Sequence, residues 1–321
     1  MKEFLLFIMK YHYNRRISVL LLLCIAAILC GCGGQKSGGS GGSWDKPAYE
    51  AGKTNVLMPE TGNKDVYEAD PLTLDFSHAD QGYFIGRLSD ADKTINIQVT
   101  GPDDVIYKYF LKTPDVDTVL PFTAGNGAYI VLAFESVGND QYIPLLSQSV
   151  TVELQNTFLP FLYPNQYVSF TADSEAIKLA AELSANCETD LDALQAIYEY
   201  IIKNITYDDD KAANVEAGYL PDIDETLRTK KGICFDYAAL TVAMLRSLSI
   251  PARLNIGYSG DIRHAWIDSY IESIGWVENV IQFQGNEWEM IDPTFAAALG
   301  SSELTKAYIG DGENYTLQYV R

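Results

Sequence analysis

The chain has 321 residues, 47% of them hydrophobic, and carries 43 acidic against 23 basic side chains for a formal net charge of −20. That length allows two domains with cores of their own, and the hydrophobic content is globular rather than disordered. The acidic balance argues against nucleic acid or anionic lipid as the main partner, because phosphate binding needs clustered Lys and Arg.

In chain order, Lys10, Arg15 and Arg16 precede an uncharged apolar run from Ile17 to Leu29. About 13 residues are too few to cross a ~30 Å hydrocarbon core, and charge followed by apolar residues is the order of a signal peptide. Translation from Met1 or from Met9 fits equally. Leu29-Cys30-Gly31-Cys32 resembles a bacterial lipobox. The resemblance implies that residues 1–31 are a lipoprotein signal peptide cut before Cys32 and that Cys32 is lipidated, which leaves a mature chain near −23. Residues 33–43 are almost wholly Gly and Ser, a composition that behaves as flexible coil. With the polar stretch up to 65 they are expected to form a tether, residues 32–65, that holds the folded part off a membrane.

From 66 to 160 the pattern is short and β-rich. Thr94–Val99 alternates apolar and polar residues, and Gly101-Pro102-Asp103-Asp104 turns the chain into Val105–Phe110. Val119–Phe122, Ala128–Phe134 and Ser149–Leu154 follow, separated by Gly/Asn turns. Strands at this spacing predict a small antiparallel β-sandwich. It has one histidine, His78, and no cluster of reactive side chains, so it reads as a spacer or docking module. Phe158–Pro164, apolar and proline-broken, is expected to pack where this part meets the next.

Residues 161–321 read as a mixed helical and stranded domain. Ser174 to Ala185 has helical spacing, and Thr189-Asp190-Leu191-Asp192 has the form of a capping box. The helix it opens has Leu191, Leu194, Ile197, Tyr198 and Ile201 on one face. An acidic, polar loop runs to Asp224. Cys234 then follows Lys231-Gly232-Ile233 and begins a helix, where unpaired N–H groups and the helix dipole favour a thiolate. Arg253–Tyr258, His264–Asp268 and Trp288–Pro293 are predicted strands, and the aromatic segment 269–286 between the last two is read as a hairpin.

Cysteine and histidine counts narrow the chemistry. Three of the five cysteines lie in the leader, so the folded part keeps Cys187 and Cys234, neither with a Cys or His at metal-ligand spacing. No disulfide framework, metal site or cofactor is expected. If Cys234 needs an imidazole base, His264 is the only histidine nearby; the others are His12 and His78. An imidazole needs a second group to fix its tautomer, and Asp292, Asp268 and Glu289 all compete for that role on spacing alone.

Gly232-Ile233-Cys234-Phe235-Asp236-Tyr237-Ala238, Leu245-Arg246 through Ala252-Arg253, Gly257-Tyr258, His264-Ala265-Trp266 and Asp292-Pro293-Thr294 together resemble the core of the transglutaminase-like superfamily, with Ile205–Asp208 upstream. The resemblance covers roughly residues 175–300. It implies an α+β, papain-like fold behind the β-sandwich, with Cys234 as nucleophile, His264 as base and Asp292 as orienting group. It further implies acyl transfer from a peptide or protein amide, including cell-wall peptide, to water or an amine. Tyr207 is the candidate side-chain donor to the oxyanion. Ser249 departs from the family pattern, which has glycine there. A surface adhesion or scaffold lipoprotein keeping the same fold is the alternative reading.

Overall fold

In the computed structural model, residues 48–139, 141–259, 261–284, 287–289 and 315–321 are described. The first eight strands are β1 (Val66–Ala69), β2 (Leu72–Asp75), β3 (Tyr83–Leu88), β4 (Ile95–Thr100), β5 (Ile106–Leu111), β6 (Asp117–Pro121), β7 (Gly127–Gly138) and β8 (Gln141–Val152). They form two antiparallel four-stranded sheets, β1-β2-β3-β6 and β5-β4-β7-β8. Alternation sends Leu72, Leu74, Phe84 and Leu120 inward from one sheet and Ile95, Ile97, Tyr109, Val131 and Ala133 inward from the other. The two inner faces share one core, so this is the expected sandwich. The last strand is twice the expected length: β8 starts at Gln141, and its Pro144 is tolerated because β8 is a sheet edge.

The second layer system contains α1 (Glu175–Ser184), α2 (Asp190–Asn204), the two-residue strand β9 (Thr206–Tyr207), α3 (Asp209–Asn214), α4 (Ile223–Thr229), the equally short β10 (Lys231–Gly232) and α5 (Cys234–Ser247). It continues through β11 (Ala252–Ser259), β12 (Ile262–Ile271), β13 (Gly275–Gln284), β14 (Glu287–Glu289) and β15 (Tyr315–Val320). These five strands form one antiparallel sheet ordered β14-β13-β12-β11-β15. Residues 269–284 form the expected hairpin, the end of β12 turning back into β13. The acidic loop before Asp224 instead holds the short helix α3, and α4 starts at its end; each is capped by an aspartate side chain, Asp208 and Asp222.

Every residue of α5 from Asp236 to Ser247 is buried. A helix apolar on all sides belongs inside a core, and α5 packs α1, α2 and α4 on one flank and β11–β12 on the other. Thr189 caps α2 through a complete capping box with Asp192. Asp190, the next residue, also accepts the Glu272 N–H at 2.8 Å, which ties the β12–β13 turn to the helical layer.

The C-terminus of α5 explains Ser249. Its N–H donates to the Arg246 carbonyl at 3.1 Å and that of Ile250 to the Leu245 carbonyl at 3.0 Å, the pairing of a Schellman motif. The motif requires a left-handed residue, and Ser249 takes it at φ 61° without glycine's freedom. Its hydroxyl accepts from Asn55 Nδ2 at 3.2 Å, a contact glycine cannot make. Asn55 belongs to residues 48–65, the distal part of the expected tether. Tyr49 there donates to the carbonyls of Ser184 and Cys187, Asn55 N–H to that of Ser247, and Gly62 N–H to the Asp75 carboxylate. This stretch therefore touches both the helical layer and the sandwich.

Candidate active site

The entry to α5 is fixed by a long-range pairing. Thr206 N–H donates to the Lys230 carbonyl and Asp208 N–H to that of Gly232, both at 2.9 Å, so β9 and β10 run parallel as a two-residue ladder. That ladder sets Tyr207 against Gly232, two positions before Cys234. Gly232 is glycine for a steric reason: a Cβ there would lie 2.8 Å from the Cβ of Asp236, whose side chain folds back over the helix start.

Cys234 is the first residue of α5 and half-buried. Burial pushes its thiol up, and the nearby Asp236 charge adds to that. Backbone N–H groups of Ala265, Phe235 and Cys234 itself pull in the opposite direction. The helix start thus acts on the sulfur in the expected sense, but desolvation outweighs it and the resting group is a thiol. Ala265, whose N–H acts on the sulfur, lies on β12 one residue past His264.

His264 lies on β12 opposite Gly257 of β11, with its ring 6.3 Å from that of Trp266 and nearly parallel to it. It is buried, and burial alone carries its pKa down to about 4, so the imidazole is neutral at pH 7 and able to accept a proton. Tyr207 is half-buried; burial first, then the charges of Cys234, Asp209 and Asp236, push its hydroxyl up to about 12. It remains a proton donor at any ordinary pH.

Asp268 is four residues beyond His264, about 13 Å along an extended strand, and stands across from Arg253 on β11. That separation removes it from competition for the imidazole. Glu289 pairs with Gln282 at the sheet edge. Asp292 and Cys32 lie outside the described residues. Cys187 and Cys234 are both free thiols. Among the described residues no three His, Cys, Asp or Glu side chains gather as metal ligands would.

Asp236, two residues past Cys234, is not singled out by sequence alone. This carboxylate is fully buried and accepts from the Ile233 N–H at 2.8 Å, from Lys211 Nζ at 2.6 Å and from the Tyr219 hydroxyl. The available signal was an aspartate at the third helical position behind an isoleucine, which has no side-chain acceptor of its own to cap the helix.

Residues 177–279 match the transglutaminase-like superfamily model. The chain carries a transglutaminase-like domain. Human kyphoscoliosis peptidase is 26% identical over 172 residues, which cover 54% of this chain and 25% of that protein. The chain therefore spans about a quarter of that relative's length. Among solved structures, a candidate cysteine protease from Cytophaga hutchinsonii is 18% identical at a TM-score of 0.37, covering 75% of this chain and 71% of that one. Red sea bream transglutaminase is 14% identical at a TM-score of 0.22, covering 66% of this chain and 48% of that one. The match to the family model takes in Tyr207, Cys234 and His264 and ends before Asp292.

Proposed function

We propose that this protein is a cysteine enzyme that acts on peptide or protein amides through Cys234, His264 and Asp292, held outside the cytoplasm by a lipid on Cys32. The observation that supports it most is the position of Cys234. A thiol at the first turn of a buried helix meets the backbone of the strand that carries the domain's one histidine, inside the family match.

In this reading the resting groups are a thiol and a neutral imidazole, the two forms from which general-base activation starts. His264 takes the Cys234 proton as the sulfur adds to the amide carbonyl, and the carbonyl π electrons move onto oxygen. In this reading the Cys234 N–H and the Tyr207 hydroxyl hold that oxyanion. Collapse breaks the C–N bond, and the imidazolium protonates the departing amine. The thioester is then resolved by water or by a second amine, whose proton passes to His264 and back to the thiol. Asp292 keeps the imidazole in the tautomer this relay needs.

The test is alkylation of the full chain by iodoacetamide, followed by mass spectrometry of Cys234 and Cys187. Cys234 is expected to react faster than a free cysteine, and His264→Ala to remove that advantage. Equal rates, unchanged by His264→Ala, would leave a binding or scaffold protein. On a glutamine peptide with an amine donor, incorporation of the donor then marks transfer and formation of glutamate marks hydrolysis, ammonia leaving in the first step of both. For the anchor, Cys32→Ala is expected to release the protein from the membrane fraction, and continued retention overturns that part.

A further inference from the structure

Lys211, Tyr219 and Asp236 form a closed ring of polar contacts beside the nucleophile. Lys211 Nζ donates to Asp236 and to the Tyr219 hydroxyl, each at 2.6 Å, and Tyr219 donates to the other Asp236 oxygen. The Lys211 ammonium also sits 4.4 Å from the centre of the Tyr219 ring. On the far side, the Tyr219 ring meets that of Phe235, the residue after Cys234, at 6.2 Å. Lys211 comes from α3 and Tyr219 from the turn after it, so this stretch is an arm that reaches the catalytic helix through one carboxylate.

The arm has an open side. Lys211, Asn214, Glu216, Gly218 and Tyr219 line a cleft of about 380 Å³ whose opposite wall is Lys112 at the end of β5. A stable core does not require this arrangement. An apolar residue at 236 would avoid the desolvation of a charge, and a buried ion pair is often no more stabilising than its hydrophobic replacement. What a buried, fully hydrogen-bonded carboxylate adds is a fixed geometry, and Gly232 is cleared of any side chain to admit it.

We propose that Asp236 is a positioning residue for the reaction at Cys234, locking the α3–Tyr219 arm to the first turn of α5 so that the cleft and the thiol keep one relative orientation. The proposal rests on Cys234 being the nucleophile. The cleft then receives the peptide flanking the scissile amide, and the ring Lys211–Asp236–Tyr219 transmits its placement to the sulfur. The charged and titratable groups around Asp236 are Lys211 and Tyr219, with Tyr207, Cys234 and Asp209 nearby.

The experiment compares two reagents on the full chain across pH: iodoacetamide, which needs no cleft, and a tripeptide chloromethyl ketone, which must be positioned. Asp236→Asn keeps the shape but leaves Lys211 without its counter-charge. It is expected to slow the peptide reagent about tenfold, the scale of one lost charge-assisted hydrogen bond. Iodoacetamide is expected to lose no rate, and its pH midpoint to shift downward as a negative charge leaves the thiol's surroundings. Tyr219→Phe, which keeps the ring and the Lys211–Asp236 pair, is expected to show a smaller loss in the same direction and serves if Asp236→Asn does not fold. Lower melting temperature with both rates and the midpoint at wild-type values, in whichever variant folds, overturns the proposal and leaves the enzyme reading intact. Wild-type Cys234 no more reactive than a free cysteine removes both.

Discussion

His264 carries a stability cost that can be read apart from any catalysis. Burial lowers its pKa from 6.5 to about 4, so the folded chain refuses a proton that the unfolded chain accepts below pH 6.5. Stability from the neutral ring is present above pH 6.5, falls as pH drops from there to about 4, and is level below that. The full loss is about 3 kcal/mol, at 1.36 kcal/mol per pH unit. His264→Gln, which cannot take the proton, is expected to lose correspondingly less in that window. Urea unfolding of both proteins at pH 7 and pH 4.5 measures it; parallel curves would mean that the ring is charged, or solvated, in the folded state. The same ring is the proposed base, so the property that weakens the fold in acid is the one that keeps the base unprotonated at neutral pH.

At the level of elements, the five-stranded sheet depends on one close approach. An added Cβ on Gly257 would lie 2.0 Å from the Thr316 carbonyl oxygen and 2.8 Å from the Trp266 ring. The register of β11 against β15 slips at this point, between Ile256 and Gly257. Gly257→Ala must therefore push β15 outward or turn Trp266, and backbone oxygen does not yield as a flexible side chain would. The expected cost is above about 2 kcal/mol, in the range of overpacked sites. Loss of hydrogen-exchange protection should be confined to β15 and its partner positions on β11. A variant with wild-type stability and protection would show that β15 does not depend on this approach. Legibility from sequence follows the same division. The 2-residue and 3.6-residue periods exposed β4, β5 and α2, because burial of one face is written into each segment locally. The β9–β10 ladder and β15 have no such signature, since their pairing partners lie far away in the chain. Likewise His264 could be singled out by scarcity, whereas Asp236 is one of 43 acidic residues and shows its role only through Lys211 and Tyr219.

Across the whole molecule, the sandwich and the transglutaminase-like domain are joined through buried arginine. Arg246, at the end of α5, is fully buried and donates to the carbonyls of Ala252, Tyr163 and Arg321 at 3.0, 2.8 and 2.8 Å, with burial carrying its pKa down to about 9. Arg321 exchanges backbone hydrogen bonds with Leu254 of β11 and sends its side chain the other way. Its guanidinium donates to the Tyr109 hydroxyl at 2.6 Å and lies 4.4 to 5.2 Å from the ring centres of Tyr107, Tyr109, Tyr167 and Tyr319. Tyr107 and Tyr109 belong to β5 of the sandwich, and Tyr319 to β15 of the five-stranded sheet, so one side chain is shared by both cores. Thr123 adds a hydrogen bond to the Val320 carbonyl at 2.9 Å, and Tyr167 one to that of Lys108 at 2.9 Å.

Cation–π contacts of a desolvated guanidinium are worth about 1–2 kcal/mol each and do not add fully, so Arg321→Ala is expected to remove about 3 kcal/mol, nearly all of it from the junction. Each domain keeps its own core, and the two should then melt separately. Calorimetry of the wild type is expected to give one cooperative transition, and of Arg321→Ala two, or one whose calorimetric enthalpy exceeds the van't Hoff value. Tyr109→Phe, which removes only the hydroxyl, is expected to cost about 1–2 kcal/mol with the single transition retained. A single Arg321→Ala transition near the wild-type melting temperature would mean that the linker contacts of Phe158 and Phe161 with Trp276, at 6.2 and 5.4 Å, suffice to hold the domains together. The cleft opposite Lys112 bears on the proposed function, since Lys112 is a sandwich residue one position past β5 and the arm that faces it belongs to the transglutaminase-like domain. An uncoupled sandwich should widen that cleft, and Arg321→Ala should slow a peptide reagent at Cys234 while leaving iodoacetamide at its wild-type rate.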